Sequence, residues 1–145
     1  MISGLIRAAT AANVKNVNIT HFDISEFPLV NTDLLGKGFP AQVQKAREAA
    51  SKAHGILWAS PVDNRKMSAV TKNAYDWLSI APPGTISPMK GIPSGLLTSA
   101  KSHDEDLKAH FNQMFRYCKA ALFDEVFNVT DSSAFDSDGN LKSEN

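Results

Sequence analysis

A single cysteine, Cys118, stands among 145 residues. One thiol excludes a disulfide framework and a cysteine-built zinc site, and such sparing use fits a reducing compartment. Neither sign of charge dominates: Lys and Arg number 15, Asp and Glu number 15, and the formal net charge is zero. Nucleic-acid binders usually carry a basic excess, so that class is set aside. No apolar run reaches the ~20 residues of a membrane-spanning helix. Residues 1–10 hold one Arg and lack the apolar core of a signal peptide. A cytoplasmic protein without a membrane span is therefore expected, and the N-x-T triplets at Asn18 and Asn128 read as chance matches. What remains is an ordinary globular balance, 43% hydrophobic and 21% charged, in a chain long enough to bury a core.

Periodicity orders the elements. Ser3 is a plausible cap for a helix over residues 3–12, with Leu5, Ile6, Ala8, Ala9 and Ala12 behind it. Val17, Ile19 and His21 alternate with Asn18 and Thr20, the pattern of a strand with one polar face. Residues 23–38 read as a loop. Pro40 opens a second helix with the inward stripe Val43, Ala46, Ala50 and Ala53. The apolar run Ile56, Leu57, Trp58 between Gly55 and Pro61 predicts a buried strand, and residues 60–66 a polar loop at its end. A third helix is expected over residues 67–79, a strand over 93–98, and a fourth helix from Asp104. The stripe of that last helix is Leu107, Phe111, Met114, Phe115, Cys118 and Leu122. A last strand is placed at 126–129. Helix and strand alternate throughout, which implies a parallel sheet with helices on both faces and ligands at the carboxyl ends of its strands. The polar tail from Asp131 is expected to be loose.

Several segments resemble a known family. Lys72-Asn73-Ala74-Tyr75-Asp76-Trp77 is similar to the K-N-A-[IL]-D-W helix of the NADPH-dependent FMN reductases. Residues 22–25 and 28–33, 3–9 and 135–141 are similar to the plant-type NADPH:quinone oxidoreductases of that family. The resemblance implies a flavodoxin-like, three-layer α/β/α domain over residues 1–130, with residues 131–145 as a polar tail. It also implies bound FMN, two-electron transfer from NADPH through FMN to a quinone, and assembly as a homodimer or homotetramer. The family's opening strand and its G-S-x-R-x-x-S loop, which holds the FMN phosphate at a helix N-terminus, have no counterpart in these residues. The fold is accordingly expected without its usual first strand. Residues 17–21 and 55–59 must then pair directly, or a strand of a partner chain must complete the sheet between them.

Against the family's flavin loops, Pro61 and Asn64 match a P-E-Y-N pattern, while Val62 and Asp63 replace its acid and aromatic. The third loop, residues 99–106, lacks the family's glycines. Pro61, Asn64 and Ser99 are the residues expected at the flavin if the family activity is kept, but with the neighbouring acid and aromatic lost, a strand-to-helix turn is the favoured reading of Pro61 and Asn64. Trp77 and Tyr75 are assigned to packing, and Arg65 and Lys66 to a solvated basic pair before a 2′-phosphate site. Cys118 reads as a buried inert thiol. His103 and His110, seven residues apart with no third ligand, read as solvent-facing rather than as metal ligands. Asp136, Asp138 and Asn140 lack the spacing of a calcium loop. A second reading of the altered loops is a catalytically inactive, flavin-poor paralogue serving as an interaction or structural subunit.

Overall fold

The computed structural model describes residues 6–7, 9–10, 14–130, 132–138, 140 and 142. In chain order the elements are α1 (Thr32–Leu35), α2 (Ala41–Lys52), β1 (Ile56–Ala59), β2 (Val62–Asp63), β3 (Lys66–Met67), α3 (Ala69–Ser79), β4 (Pro93–Thr98), α4 (Asp104–Cys118) and β5 (Ala121–Asn128). A short 3-10 turn, Ser132–Ala134, follows. The first predicted helix falls mostly outside the described residues; Ile6, Arg7, Ala9 and Thr10 are helical. No described helix is long and apolar enough to cross a membrane.

The sheet is parallel in the order β1-β4-β5, with Trp58 opposite Leu96 and Leu97 opposite Phe127. Alternate residues point to opposite faces. Trp58 and Leu96 belong to the main core with Val43 of α2, Tyr75 and Trp77 of α3, and Phe111 and Phe115 of α4. Helices α2, α3 and α4 thus cover one face. At its centre Phe111 stacks on Phe115 at 5.3 Å, and both rings meet Trp58, at 6.2 and 5.8 Å. On the other face Leu97 and Phe135 pack together with Ala59 and Val129.

Three expectations are corrected. Residues 17–21 are extended but belong to no strand; they do not pair with β1, whose sole described neighbour is β4. Val17 and Ile19 stay 54% and 38% exposed, because alternation makes a strand only where a partner supplies the hydrogen bonds. Leu122 lies in β5 opposite Ser94, not on the α4 stripe. Lys119, with φ 55°, takes the left-handed conformation that ends α4 and lets β5 start at Ala121. The tail is anchored where its residues are described: Phe135 is buried, Lys142 N donates to Ala134 O at 2.9 Å, and Arg7 donates to Asp138 O at 2.9 Å.

Candidate functional site

Two loops leave the carboxyl ends of the adjacent strands β1 and β4. The first is built around Ser60, fully buried. Its hydroxyl donates to Pro61 O at 2.8 Å and accepts from Ser68 N at 3.0 Å. Ser68 in turn caps α3 by accepting from Thr71 N. Between these anchors the predicted plain loop is a tight hairpin, β2 antiparallel to β3. Its turn residues Asn64 and Arg65 have φ of 47° and 66°, the pair of left-handed residues that a two-residue hairpin turn needs. Asn tolerates that conformation better than most side chains, so Asn64 sits at the tip of a hairpin rather than in a simple strand-to-helix turn.

The second loop is held by a residue missed at the level of sequence. Asn128, at the end of β5, accepts from Ala100 N at 3.1 Å and donates to Ala100 O at 3.1 Å and Asp104 Oδ2 at 3.0 Å. An amide side chain that answers one backbone N–H and C=O fixes the loop without glycine. The two loops are then joined: Arg65 Nε meets Asp106 Oδ2 at 2.9 Å, and His103 Nδ1 lies 3.2 Å from the same oxygen. The hydrogen bond from Arg65 holds the Asp106 carboxyl below the usual carboxylate range.

Together the loops enclose a hollow of about 390 Å³ in which Pro61, Asn64 and Ser99 meet Lys101, Ser102 and His103. Small-molecule sites commonly span roughly 300–1,000 Å³. Cationic and neutral polar groups line it, and the nearby carboxylate of Asp106 is engaged by Arg65. At the last residue of β4 the hydroxyl of Thr98 is buried with no hydrogen-bond partner among the described residues. Arg65 and Lys66 are exposed, as a solvated basic pair would be, and Arg65 pairs at the surface with Asp106.

The helix motif that carries the resemblance has a structural task. Asn73 accepts from Val30 N at 3.0 Å and donates to Pro28 O at 3.0 Å, and Trp77 Nε1 donates to Pro28 O at 2.6 Å. The motif clasps the loop over residues 27–30 onto α3. Tyr75 is buried, its hydroxyl on Met114 O and beside Cys118 Sγ. Burial, then the bond to Cys118, pushes the phenol well above its usual pKa, so Tyr75 and Cys118 belong to packing as expected. Asp136 closes its own turn, accepting from Asp138 N at 2.9 Å and Asn140 N at 2.8 Å. No group of three or more metal-ligating side chains occurs among the described residues. One histidine differs from expectation: the Nδ1 of His110 is enclosed and unpartnered rather than solvent-facing.

The sequence pattern of the NADPH-dependent FMN reductases matches residues 3–134. The chain belongs to that family. It is 44% identical to the NADPH:quinone oxidoreductase of Arabidopsis thaliana over 84 residues, 55% of this chain and 43% of the plant enzyme. It therefore spans less than half the length of that relative. To an NAD(P)H-dependent FMN reductase of Pseudomonas aeruginosa it is 31% identical over 143 residues, 96% of this chain and 76% of the relative. The flavoenzyme FerB of Paracoccus denitrificans, an NAD(P)H:(acceptor) oxidoreductase, superposes with a TM-score of 0.81 over 97% of this chain and 78% of its own, at 19% identity. The fold is flavodoxin-like.

Proposed function

We propose that this chain is an NAD(P)H-dependent quinone reductase that holds FMN between the loops after β1 and β4. One observation carries the reading: Pro61, Asn64 and Ser99, chosen by family likeness from two distant loops, line a single hollow. FMN, when bound, supplies the redox chemistry, accepting a hydride from NADPH and passing two electrons to a quinone. The chain's part is to bind and orient. Pro61 and Asn64 form one wall, Ser99 and the second loop the other, and Asn128 keeps that wall in place. Lys101 and Arg65 add positive charge where a reduced ring gathers negative charge.

The reading extends to the whole molecule. Residues 1–130 form the flavodoxin-like domain, and residues 131–145 are a tail docked through Phe135. The acceptor is a quinone or a similar small molecule, the assembly a homodimer or homotetramer, and the compartment the reducing cytoplasm in which Cys118 stays a thiol. The edge of β1 that no described strand pairs supports a second reading in which the sheet is completed by a partner chain and the subunit is structural. Reduction by NADPH separates them. Mixed anaerobically with FMN and NADPH, the protein should bleach the visible flavin band faster than free FMN does, and a quinone should restore it. Bleaching at the rate of free FMN would leave the structural reading standing.

A further inference from the structure

Lys66 of β3, Lys72 of α3 and His110 of α4 come from three elements, yet they line one hollow of about 700 Å³. It shares Val62 and Asn64 with the first hollow, so the two lie side by side on the hairpin. Lys66 makes no ion pair among the described residues. Lys72 is stationed by both oxygens of Asp76, at 2.6 and 2.7 Å, and Asp63 also lines the hollow. His110 has its Nδ1 enclosed, which leaves Nε2 as the ring nitrogen for a ligand. Burial, then the charges of Lys66 and Lys72, holds the His110 pKa below its usual value.

We propose that this hollow binds a phosphomonoester dianion, with the ammonium groups of Lys66 and Lys72 and the Nε2–H of His110 as its donors. The ammonium of Lys66, that of Lys72 shared with Asp76, and one neutral N–H offer several donors to the acceptor oxygens of a phosphate, with Asp63 at the rim as the group a bound anion must avoid. The chemistry is shared by inorganic phosphate and by the 2′-phosphate of NADPH. The second source rests on the reductase reading above, and the common wall places it beside the proposed flavin. The 2′-phosphate is the group that separates NADPH from NADH, so the hollow would set that preference.

The test is binding of NADP+, NAD+ and inorganic phosphate to the full chain, with the His110 ring followed by NMR. NADP+ should bind at least about tenfold tighter than NAD+, the worth of one charge-assisted hydrogen bond. Its binding should raise the His110 pKa, because the incoming anion offsets the lysines. Lys66→Gln, on an exposed side chain, should remove the preference, and His110→Gln should weaken NADP+ alone; an unchanged urea midpoint shows that each variant is folded. Inorganic phosphate that raises the His110 pKa while NADP+ and NAD+ bind alike would keep the anion site and overturn the cofactor as its source. A His110 pKa unmoved by NADP+ and by phosphate would overturn the site itself. Flavin fluorescence in the same samples reports the reductase reading separately, so each can fail without the other.

Discussion

Replacing Asn128 with Ala removes the clamp on the loop after β4. Three hydrogen bonds are lost, two to the backbone of Ala100 and one to the carboxylate of Asp104. Neutral bonds contribute about 0.5–1.5 kcal/mol each and a bond to a charged group about 1.5–3 kcal/mol. The simple sum is roughly 2.5–6 kcal/mol, but the site is partly open to water, which replaces some of what is lost. The expectation is a loss of about 2–3 kcal/mol, read as a lower urea midpoint with an unchanged slope. Asn128→Asp is the sharper variant. It keeps an acceptor for Ala100 N, deletes the donor, and sets a second carboxylate against Asp104. It should therefore fall at least as far as the Ala variant at neutral pH and recover as both carboxyls protonate. A loss below ~0.5 kcal/mol in the Ala variant, the range of an ordinary surface change, would refute the clamp. Flavin affinity should fall by more than stability alone explains, since the loop is a wall of the proposed site.

Arg47 is buried under the end of α3, donating to Trp77 O at 2.6 Å and Ile80 O at 2.7 Å with its guanidinium 3.9 Å from the Phe39 ring centre. Arg47→Met keeps the stem but strands those carbonyls, and should cost about 2–4 kcal/mol in urea unfolding. Tyr75→Phe removes the hydroxyl from Met114 O and Cys118 Sγ. It should cost about 1–2 kcal/mol and speed the reaction of Cys118 with a thiol reagent, which is otherwise slow. Asp106 has a lowered carboxyl pKa, so its contribution is whole above the ordinary carboxylate range and is lost as pH falls through the lowered value. The stability difference between wild type and Asp106→Asn should accordingly be constant near neutrality and vanish in acid. A difference that grows in acid would contradict the Arg65–Asp106 pairing.

Periodicity reads well where one face of an element is buried. The stripe from Leu107 to Cys118 and the Val43 to Ala50 face pack as their spacing demands; of the run from Ile56 to Trp58, expected to be buried throughout, only Trp58 is buried and Leu57 is 47% exposed. It fails where a tertiary contact decides. Residues 17–21 have the alternation of a strand and no described neighbour to pair with. The left-handed Lys119 that separates Leu122 from its helix leaves no mark in a hydrophobic pattern. Pro61, Asn64 and Ser99, marked by a family pattern in their loops, line one hollow; that a flavin occupies it is a proposal, tested by FMN titration. Asn128 was not legible, since its role depends on the register that sets β5 against β4. The signal that existed was an Asn at the end of a strand beside a loop without glycine, where a side chain must do what a flexible backbone otherwise does. The hairpin at Asn64 and Arg65 was similarly hidden, because Arg is an unusual second turn residue.

The central claim is that the two loops hold a flavin, and a fluorescence titration of FMN against the full chain tests it most directly. Saturable quenching is the predicted result, weakened by a bulky Ser99→Trp variant that fills the hollow while the protein stays folded. Fluorescence unchanged by a folded protein, or quenching that Ser99→Trp leaves untouched, would contradict the assignment of the flavin to this hollow.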